Sequence, residues 1–195
     1  MANRISGVIL AGGSNKRFSG ITKANVVIDG ETIISRIIST ISDFFDEIII
    51  VTNKPEEFQE FIQYKIVEDQ YLKAGPLGGI HAALKTSSKD AIFVFAGDMP
   101  FLNKEIITNQ INEFNNTEHD ILIPEVDQFI EPLHAIYRKS VLNDLERFLS
   151  AGKSRAVRDF LREVNVGYFQ VPKTRKTELA FANINSPSDL DKIGF

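Results

Sequence analysis

The chain has 195 residues, of which 43% are hydrophobic, and its formal net charge is −4 at pH 7. That length suits one domain, the interleaved charges include no basic block for nucleic acid, and the lack of cysteine excludes disulfides and thiolate metal sites. No apolar run approaches the roughly 20 residues of a membrane span, and the first ten residues lack the pattern of a signal peptide. We therefore expect a cytoplasmic protein with no nucleic-acid or membrane partner.

Short runs rich in Ile and Val alternate along the chain with segments of helical period. The strand-like runs lie at 5–10, 47–52, 64–69, 90–98 and 120–124. Their nearly continuous apolar character is typical of parallel strands that are buried on both faces. Apolar residues at helical spacing over 33–41 and 106–114 predict helices between strands. This alternation of strands and helices predicts an α/β fold.

The pattern changes after residue 124. The predicted elements there are a broken strand over 129–139, helices over 141–149 and 157–164, and a last strand over 167–171. No internal repeat or low-complexity linker separates this part from the rest. We therefore predict a single domain over 1–195, in which 125–195 elaborates the part formed by 1–124.

The loop after the first strand, LAGGSNKRFSGITK, combines a glycine pair with cationic side chains. Ligands of open α/β sheets bind at the carboxyl ends of the strands, and glycines there let backbone amides approach an anion. Gly12 and Gly13 do not have the spacing of a dinucleotide fingerprint or a P-loop, and a glycine pair alone is typical of an ordinary turn. Arg17 and Lys23 in the same loop favour a polyphosphate site.

Two later loops also follow predicted strands. The loop over 68–80 carries Asp69 and three glycines, and AGDMP places Asp98 where a buried strand ends. An aspartate in that position is equally consistent with a cap of the next helix and with a Mg²⁺ ligand, because hard cations prefer carboxylate oxygen.

The segment ANINSPSDL, over 182–190, holds two asparagines ahead of a Ser-Pro helix start. This pattern alone favours a turn with an Asx cap.

The histidines and the basic residues of GKSRAVRDFLR have simpler interpretations. We expect His134 in the core, His81 in helix packing and His119 facing solvent, and their scatter along the chain makes a zinc site improbable. Two interpretations of the basic segment stay open. It is either a solvated helix face, or Arg155 and Arg158 contact the phosphate of an acceptor or an acidic carrier protein.

Five motifs in chain order carry a resemblance to a known family. They are LAGGSNKRF with Lys23, the Asp69 loop running into GPLGGI, GDMP, EPLHAIY and NINSP. Together they resemble the molybdenum cofactor guanylyltransferase (MobA) family over nearly the whole chain. The resemblance implies a Rossmann-like three-layer α/β/α sandwich with a mostly parallel central sheet. It also implies an enzyme that transfers GMP from GTP to the terminal phosphate of molybdenum-molybdopterin and releases pyrophosphate.

The resemblance also implies site residues, a cofactor and partners. The backbone that would face the nucleotide is that of Leu10, Ala11, Gly12 and Gly13. The triphosphate would be bound by Lys23 and Arg17, and the nucleoside would be contacted by Asn53 and Asp69. Asp98 would hold Mg²⁺, and Asn183 or Asn185 would complete the metal or acceptor site. Lys23, Arg17 and Asp98 form the implied catalytic set. GTP and molybdenum-molybdopterin are the implied partners, with molybdenum-insertion and molybdoenzyme chaperone proteins as further candidates.

Three alternatives and one departure accompany this interpretation. A related transferase would use CTP with the pterin or act on a sugar phosphate, and a nucleotide-sensing module would bind GTP without releasing pyrophosphate. The LAGG and GPLGG motifs resemble the guanylyltransferases more than the cytidylyl relatives, which favours GTP.

The family's loop commonly reads Arg-Met-Gly-x-x-Lys with an acidic residue before the lysine, whereas Phe18, Ser19 and Thr22 fill those places here.

Overall fold

The computed structural model describes residues 4–12, 22–71, 74–152, 154–186 and 188–190. In chain order, the strands and helices are β1 (Ile5–Leu10), β2 (Val27–Ile28), β3 (Glu31–Thr32), α1 (Ile33–Ile41), β4 (Ile48–Val51), β5 (Lys65–Val67), α2 (Pro76–Thr86), β6 (Ala91–Ala96), α3 (Lys104–Asn115), β7 (Ile121–Val126), β8 (Phe129–Ile130), β9 (His134–Arg138), α4 (Leu142–Ala151), α5 (Val157–Phe160), β10 (Val166–Gln170) and α6 (Arg175–Ala180). Short 3-10 helices lie at Lys23–Asn25, Pro55–Phe61, Lys139–Val141 and Leu161–Glu163.

An eight-stranded sheet forms the centre of the molecule. Its order is β10-β7-β9-β6-β1-β4-β5, with β8 paired to the outer part of β7. Strands β5, β4, β1 and β6 are mutually parallel, and β10 is parallel to β7. Strand β9 runs antiparallel to both β6 and β7. The carboxyl ends of β1, β4, β5 and β6 therefore meet at one edge of the sheet, where α/β proteins bind ligands.

Helices cover both faces of the sheet. On one face, α1 and α3 pack their isoleucines against Ile9, Phe93 and Phe95, and on the other face α2, α4 and α5 pack against Val8 and Val94. The alternation along β6, in which Phe93 and Phe95 face one layer and Val94 the other, shows why every residue of that strand is apolar. The predicted three-layer α/β/α sandwich is confirmed.

Helix α1 shows how apolar residues at helical spacing stabilise the fold when they are buried. Its five isoleucines are buried, and each buried side chain of this size contributes roughly 1.5–3 kcal/mol relative to an exposed one. Thr32 begins the helix, because its hydroxyl oxygen accepts a hydrogen bond from the Ser35 amide at 3.3 Å.

The structure differs from the sequence-based elements in three places. The hairpin of β2 and β3 was not predicted, although its turn, Asp29-Gly30, has positive φ at both residues, which is a hairpin signature. Helix α6, with its Thr174 capping box, was also not predicted. Helix α2 begins at Pro76, so the last two glycines of GPLGG lie inside the helix rather than before it. Proline favours a first helical turn, which explains this early start.

The histidines occupy three different environments. His81 is buried in α2, and its Nε2 lies 3.0 Å from a Glu146 carboxylate oxygen on α4, as expected for helix packing. His119 is partly exposed, and its Nδ1 lies 3.1 Å from the Asn165 amide oxygen in an exposed contact, in line with its expected position at the surface.

His134 is a core residue, as predicted. It is fully buried, and its ring makes edge-on contacts with the rings of Phe93, Phe95 and Phe181. Within the described part of the chain, neither ring nitrogen has a hydrogen-bond partner. Burial therefore lowers the pKa of His134 to about 4.

We predict that His134→Leu removes part of the acid sensitivity of folding. The pKa of His134 falls from 6.5 in the unfolded chain to about 4 in the folded one, so the unfolded state takes up the proton first. This contribution is fully present above pH 6.5 and is lost as the pH falls toward 4, by up to about 3 kcal/mol. Urea unfolding at about pH 7.5, 6 and 5 measures the free energy of unfolding.

The matched control is Phe181→Leu, which loosens the same aromatic cluster and keeps the imidazole. It should lower the free energy of unfolding at each pH by a similar amount. An undiminished pH dependence in His134→Leu would contradict the assignment.

Candidate functional site

A cleft of about 360 Å³ opens at the carboxyl ends of β1, β4, β5 and β6. The predicted residues that line it are Leu10, Ala11, Gly12, Lys23, Asn53, Asp69 and Asp98. These residues come from four separate loops, and the parallel strands bring them to one place. Arg17 and Gly13, together with the departures at Phe18 and Ser19, lie outside the described residues.

The floor of the cleft is formed by backbone of β1 and β6 in close contact. The Gly97 amide donates to the Leu10 carbonyl oxygen at 3.0 Å, and a Cβ on Gly97 would lie 2.7 Å from that same oxygen. Only glycine fits such an approach of two chains. At Gly12 the situation is opposite, because a Cβ there would meet no atom of the described residues within 4 Å. This is expected of a residue whose backbone faces a ligand.

Lys23, Asp98 and Asn185 meet at the centre of the site. The Lys23 ammonium donates to Asp98 Oδ2 at 2.9 Å and to the side-chain oxygen of Asn185. Both members of the ion pair are mostly buried, with side-chain exposures of 23% for Lys23 and 18% for Asp98. A cation thus already lies between a carboxylate and an amide oxygen.

The structure decides against a helix-capping role for Asp98. Helix α3 is capped by Asn103, whose side-chain oxygen accepts from the Glu105 and Ile106 amides at 2.9 and 3.2 Å. The Asp98 carboxylate points instead to Lys23 in the cleft.

The asparagine segment is tied directly to this centre. The Ile184 amide donates to the Asp98 carbonyl oxygen at 2.8 Å, which places Asn185 beside Lys23. Asn183 is exposed, and its amide nitrogen lies 3.5 Å from the Phe181 carbonyl oxygen. Of the two candidates, Asn185 is therefore the one whose side chain reaches the site.

The donor set fits a hard divalent cation. The Asp98 carboxylate and the Asn185 amide oxygen are ligand types that Mg²⁺ prefers, and they already converge on a positive charge. No group of three or more His, Cys, Asp or Glu residues in the described ranges could hold a metal. A cation here would therefore complete its coordination with substrate phosphates and water, which is how Mg²⁺ usually binds.

The other end of the cleft is built around Asp69. Its amide donates to the Asn53 side-chain oxygen at 3.0 Å, and its carboxylate accepts from the Tyr71 amide at 2.7 Å. A Cβ on Gly78 would lie 2.3 Å from this carboxylate, so the first turn of α2 must be free of a side chain there. Burial raises the pKa of Asp69, partly offset by the Tyr71 amide and by His81. Asp69 is thus a fixed, partly desolvated acceptor that can discriminate among hydrogen-bond donors.

Glu131 is a residue near the site that the sequence analysis missed. His134 pairs with Phe95 in the antiparallel β6–β9 ladder, and the Ala96 amide donates to the Leu133 carbonyl at 2.9 Å. Glu131 precedes β9 in a turn, which the His134 amide closes on the Glu131 carbonyl oxygen at 3.0 Å. Burial raises the pKa of Glu131, the Leu133 amide partly offsets this, and the charge of Asp98 raises it further. The motif EPLHAIY was the sequence signal that could have pointed to Glu131. It did not do so, because the direction of β9 was not predictable from it.

The basic segment does not line the described cleft. Arg162 is exposed and lies 3.0 Å from Asp159, as expected for a solvated face. Arg155 and Arg158 are also exposed, and Lys153 lies outside the described residues. A role for Arg155 and Arg158 toward an acceptor stays a prediction.

The chain matches the family model of the MobA-like NTP transferase domain over residues 7–166. It is 35% identical to a probable molybdenum cofactor guanylyltransferase of Natranaerobius thermophilus, covering 98% of this chain and 96% of the relative. It is 32% identical to a molybdenum cofactor guanylyltransferase of Desulfosudis oleivorans, covering 96% and 93%. The crystal structure of molybdopterin-guanine dinucleotide biosynthesis protein A from Archaeoglobus fulgidus superposes with a TM-score of 0.81 at 30% identity, covering 96% of each chain.

We predict that Gly12→Ala folds normally and binds nucleoside triphosphate more weakly. A Cβ at Gly12 meets no atom within 4 Å in the part of the chain that the structure describes, so we expect it to project into the space that the ligand needs. Gly97→Ala is the matched control, because its Cβ lies 2.7 Å from the Leu10 oxygen and should destabilise the fold, by about 1–3 kcal/mol as in other overpacked sites. Thermal melting and calorimetric titration separate the two effects. Wild-type affinity in Gly12→Ala would contradict a nucleotide cradle at this glycine.

Proposed function

Because this chain belongs to the molybdenum cofactor guanylyltransferase family, within the MobA-like NTP transferases, we propose that it transfers GMP from GTP to the terminal phosphate of molybdenum-molybdopterin. The products are the molybdopterin guanine dinucleotide cofactor and pyrophosphate. The observation that carries the proposal is the meeting of Lys23, Asp98 and Asn185 beside the open backbone of Gly12. This constellation combines a mobile cation, hard oxygen ligands and exposed amides at one edge of the sheet.

Lys23 and the Gly12 backbone bind the triphosphate in this proposal. The lysine is a compact charge on a flexible side chain, so it can leave its ion pair with Asp98 and follow phosphate oxygens as pyrophosphate departs. Charge that is stabilised more strongly in the transition state than in the bound substrate accelerates the reaction. Arg17, which lies outside the described residues, is proposed to assist Lys23.

Asp98 and Asn185 hold Mg²⁺ in this proposal. When bound, the ion would neutralise phosphate charge and orient the group that is transferred. The departure of Lys23 toward the phosphates would leave both oxygens available to the metal. Binding of nucleotide and binding of metal would therefore support one another.

The transfer needs no general base from the protein. The acceptor is a phosphate, which is already an anion and can attack the α-phosphorus once repulsion between the two anions is relieved. The histidines fit this view. His134 lies in the core, and His81 is buried against Glu146 and Tyr71.

Asp69 and Asn53 lie at the nucleoside end of the cleft. The partly buried carboxylate of Asp69 can accept hydrogen bonds from the nucleoside, and a nucleoside without matching donors would leave it unpaired, which costs about 1–3 kcal/mol. GTP is the nucleotide that we propose.

We place the reaction in the cytoplasm, with molybdenum-insertion and molybdoenzyme chaperone proteins as candidate partners. No helix of the described ranges is long and apolar enough to span a bilayer.

The decisive experiment is a pyrophosphate-release assay with molybdenum-loaded molybdopterin and each of the four nucleoside triphosphates. We expect release with GTP and little with ATP, CTP or UTP. Release with CTP alone would indicate a cytidylyltransferase, and release only when a sugar phosphate replaces the pterin would indicate another acceptor. GTP binding without release would indicate a nucleotide-sensing module.

We predict that Asp98→Asn folds normally, loses most turnover and binds Mn²⁺ weakly in the presence of nucleotide. The amide replaces an anionic ligand with a neutral one, so both the metal and Lys23 lose their carboxylate. Asp43→Asn is the matched control, because Asp43 pairs with Lys104 at the surface. Metal binding is measured by Mn²⁺ titration followed by electron paramagnetic resonance. Near-normal turnover with unchanged Mn²⁺ affinity would contradict the proposal that Asp98 is a metal ligand.

A further inference from the structure

Glu57 contacts the turn that carries Lys23 from outside the cleft. The Thr22 amide donates to Glu57 Oε2 at 3.1 Å, and the Asn25 side-chain nitrogen donates to the Glu57 backbone oxygen, also at 3.1 Å. These two contacts lie on either side of Lys23 in the chain. Inside the turn, the Asn25 amide donates to the Thr22 carbonyl oxygen at 2.9 Å, so the turn moves as a unit.

Glu57 is itself fixed. It belongs to the 3-10 helix Pro55–Phe61, whose Phe58 and Phe61 are buried in the core. Its second carboxylate oxygen lies 2.5 Å from the Lys54 ammonium. Hydrogen bonds from Lys54 and Thr22 lower the pKa of Glu57 to about 2 against a small opposing effect of burial, so the carboxylate is charged at neutral pH.

The position of this turn determines where the lysine charge lies. Thr22 is 2% exposed and lines the cleft together with Lys23, whereas Glu57 does not line it. The Lys23 ammonium reaches Asp98 and Asn185 through a long side chain, so a small rotation of the turn displaces the charge by more than the backbone moves. Misplacement of a catalytic group by about 1 Å can cost on the order of 100-fold in rate.

We propose that Glu57 is a positioning residue for nucleotidyl transfer, whose carboxylate and carbonyl oxygens hold the 22–25 turn so that the Lys23 ammonium is aimed at the Asp98–Asn185 centre. The inference rests on the proposed function, in which Lys23 meets the triphosphate. The segment 53–57 thereby links the two ends of the cleft, because Asn53 holds the Asp69 loop and Glu57 holds the Lys23 turn.

The kinetic test compares Glu57→Ala with Glu57→Gln. The alanine variant loses the bond to Thr22, and we expect kcat to fall about tenfold with KM for GTP within about twofold, because the charge matters most as pyrophosphate leaves. Glutamine keeps an acceptor oxygen for the Thr22 amide and should recover most of the kcat. Glu60→Ala, in the same segment but beyond the kink at Phe58, is the matched control and should behave as wild type.

A double-variant comparison separates positioning from a general structural effect. If Glu57 acts through Lys23, Glu57→Ala should lower kcat little further in a Lys23→Ala background. A full additional tenfold loss in that background would overturn the proposal, as would a wild-type kcat in Glu57→Ala itself. If Glu57→Ala does not fold, Asn25→Ala removes the contacts of the Asn25 side chain with Glu57, keeps the Thr22 amide bond, and should show a smaller fall in kcat at unchanged KM.

Chemical labelling tests the same inference without relying on activity. Lys23 in nucleotide-free protein should react slowly with an acylating reagent, because its ammonium is mostly buried and paired with Asp98. Peptide mass spectrometry should show faster labelling of Lys23 in Glu57→Ala, with the exposed Lys104 as internal reference. Unchanged labelling would overturn the role of Glu57. If the wild-type protein releases no pyrophosphate while Lys23 is still labelled faster in Glu57→Ala than in wild type, the proposed function is refuted. The hold of Glu57 on the Lys23 turn would then stand.

Discussion

The close approach of β6 to β1 at Gly97 is the constraint on which the cleft depends. The Gly97 amide reaches the Leu10 carbonyl oxygen at the point where both strands end, and a side chain at this position would collide with that oxygen. The contact brings Asp98, the next residue, over the end of β1 and within reach of Lys23. Because Ile184 then binds the Asp98 backbone, the late segment of the chain also takes its position from this junction.

The sheet could be predicted from local patterns in the sequence, whereas the residues of the site came mainly from the resemblance to a known family, because their local patterns alone also fitted ordinary turns and helix caps. Strands buried on two faces are apolar at nearly every position, and polar residues that follow such strands must lie at one edge of the sheet. The choice between Asn183 and Asn185 was not predictable, since it depends on which of them faces Lys23 after the chain has crossed the molecule. Glu131 and Glu57 were not identified from the sequence for a related reason. The position of Glu131 depends on the direction of a strand, and that of Glu57 depends on a contact between distant segments.

The cleft compensates its charges internally. Lys23 is paired with Asp98, and Asp69 accepts a backbone hydrogen bond. The protein carries a net charge of −4, so under the proposed function a polyphosphate would gain little from long-range attraction and would depend on a few nearby donors. Its binding would then exchange one partner of Lys23 for another rather than fill an empty positive site. Such an exchange would favour a ligand that brings a cation with it.

The connection of the 182–185 segment to Asp98 makes the site depend on a late part of the chain more than the sheet does. The strands that the structure describes all precede this segment, so none of their pairings involves Asn185. In a chain truncated at about residue 181 these strands could still pair, whereas Asp98 would lose the Ile184 amide and Lys23 would lose the Asn185 oxygen. Such a truncation would thus damage the site before it damages the scaffold.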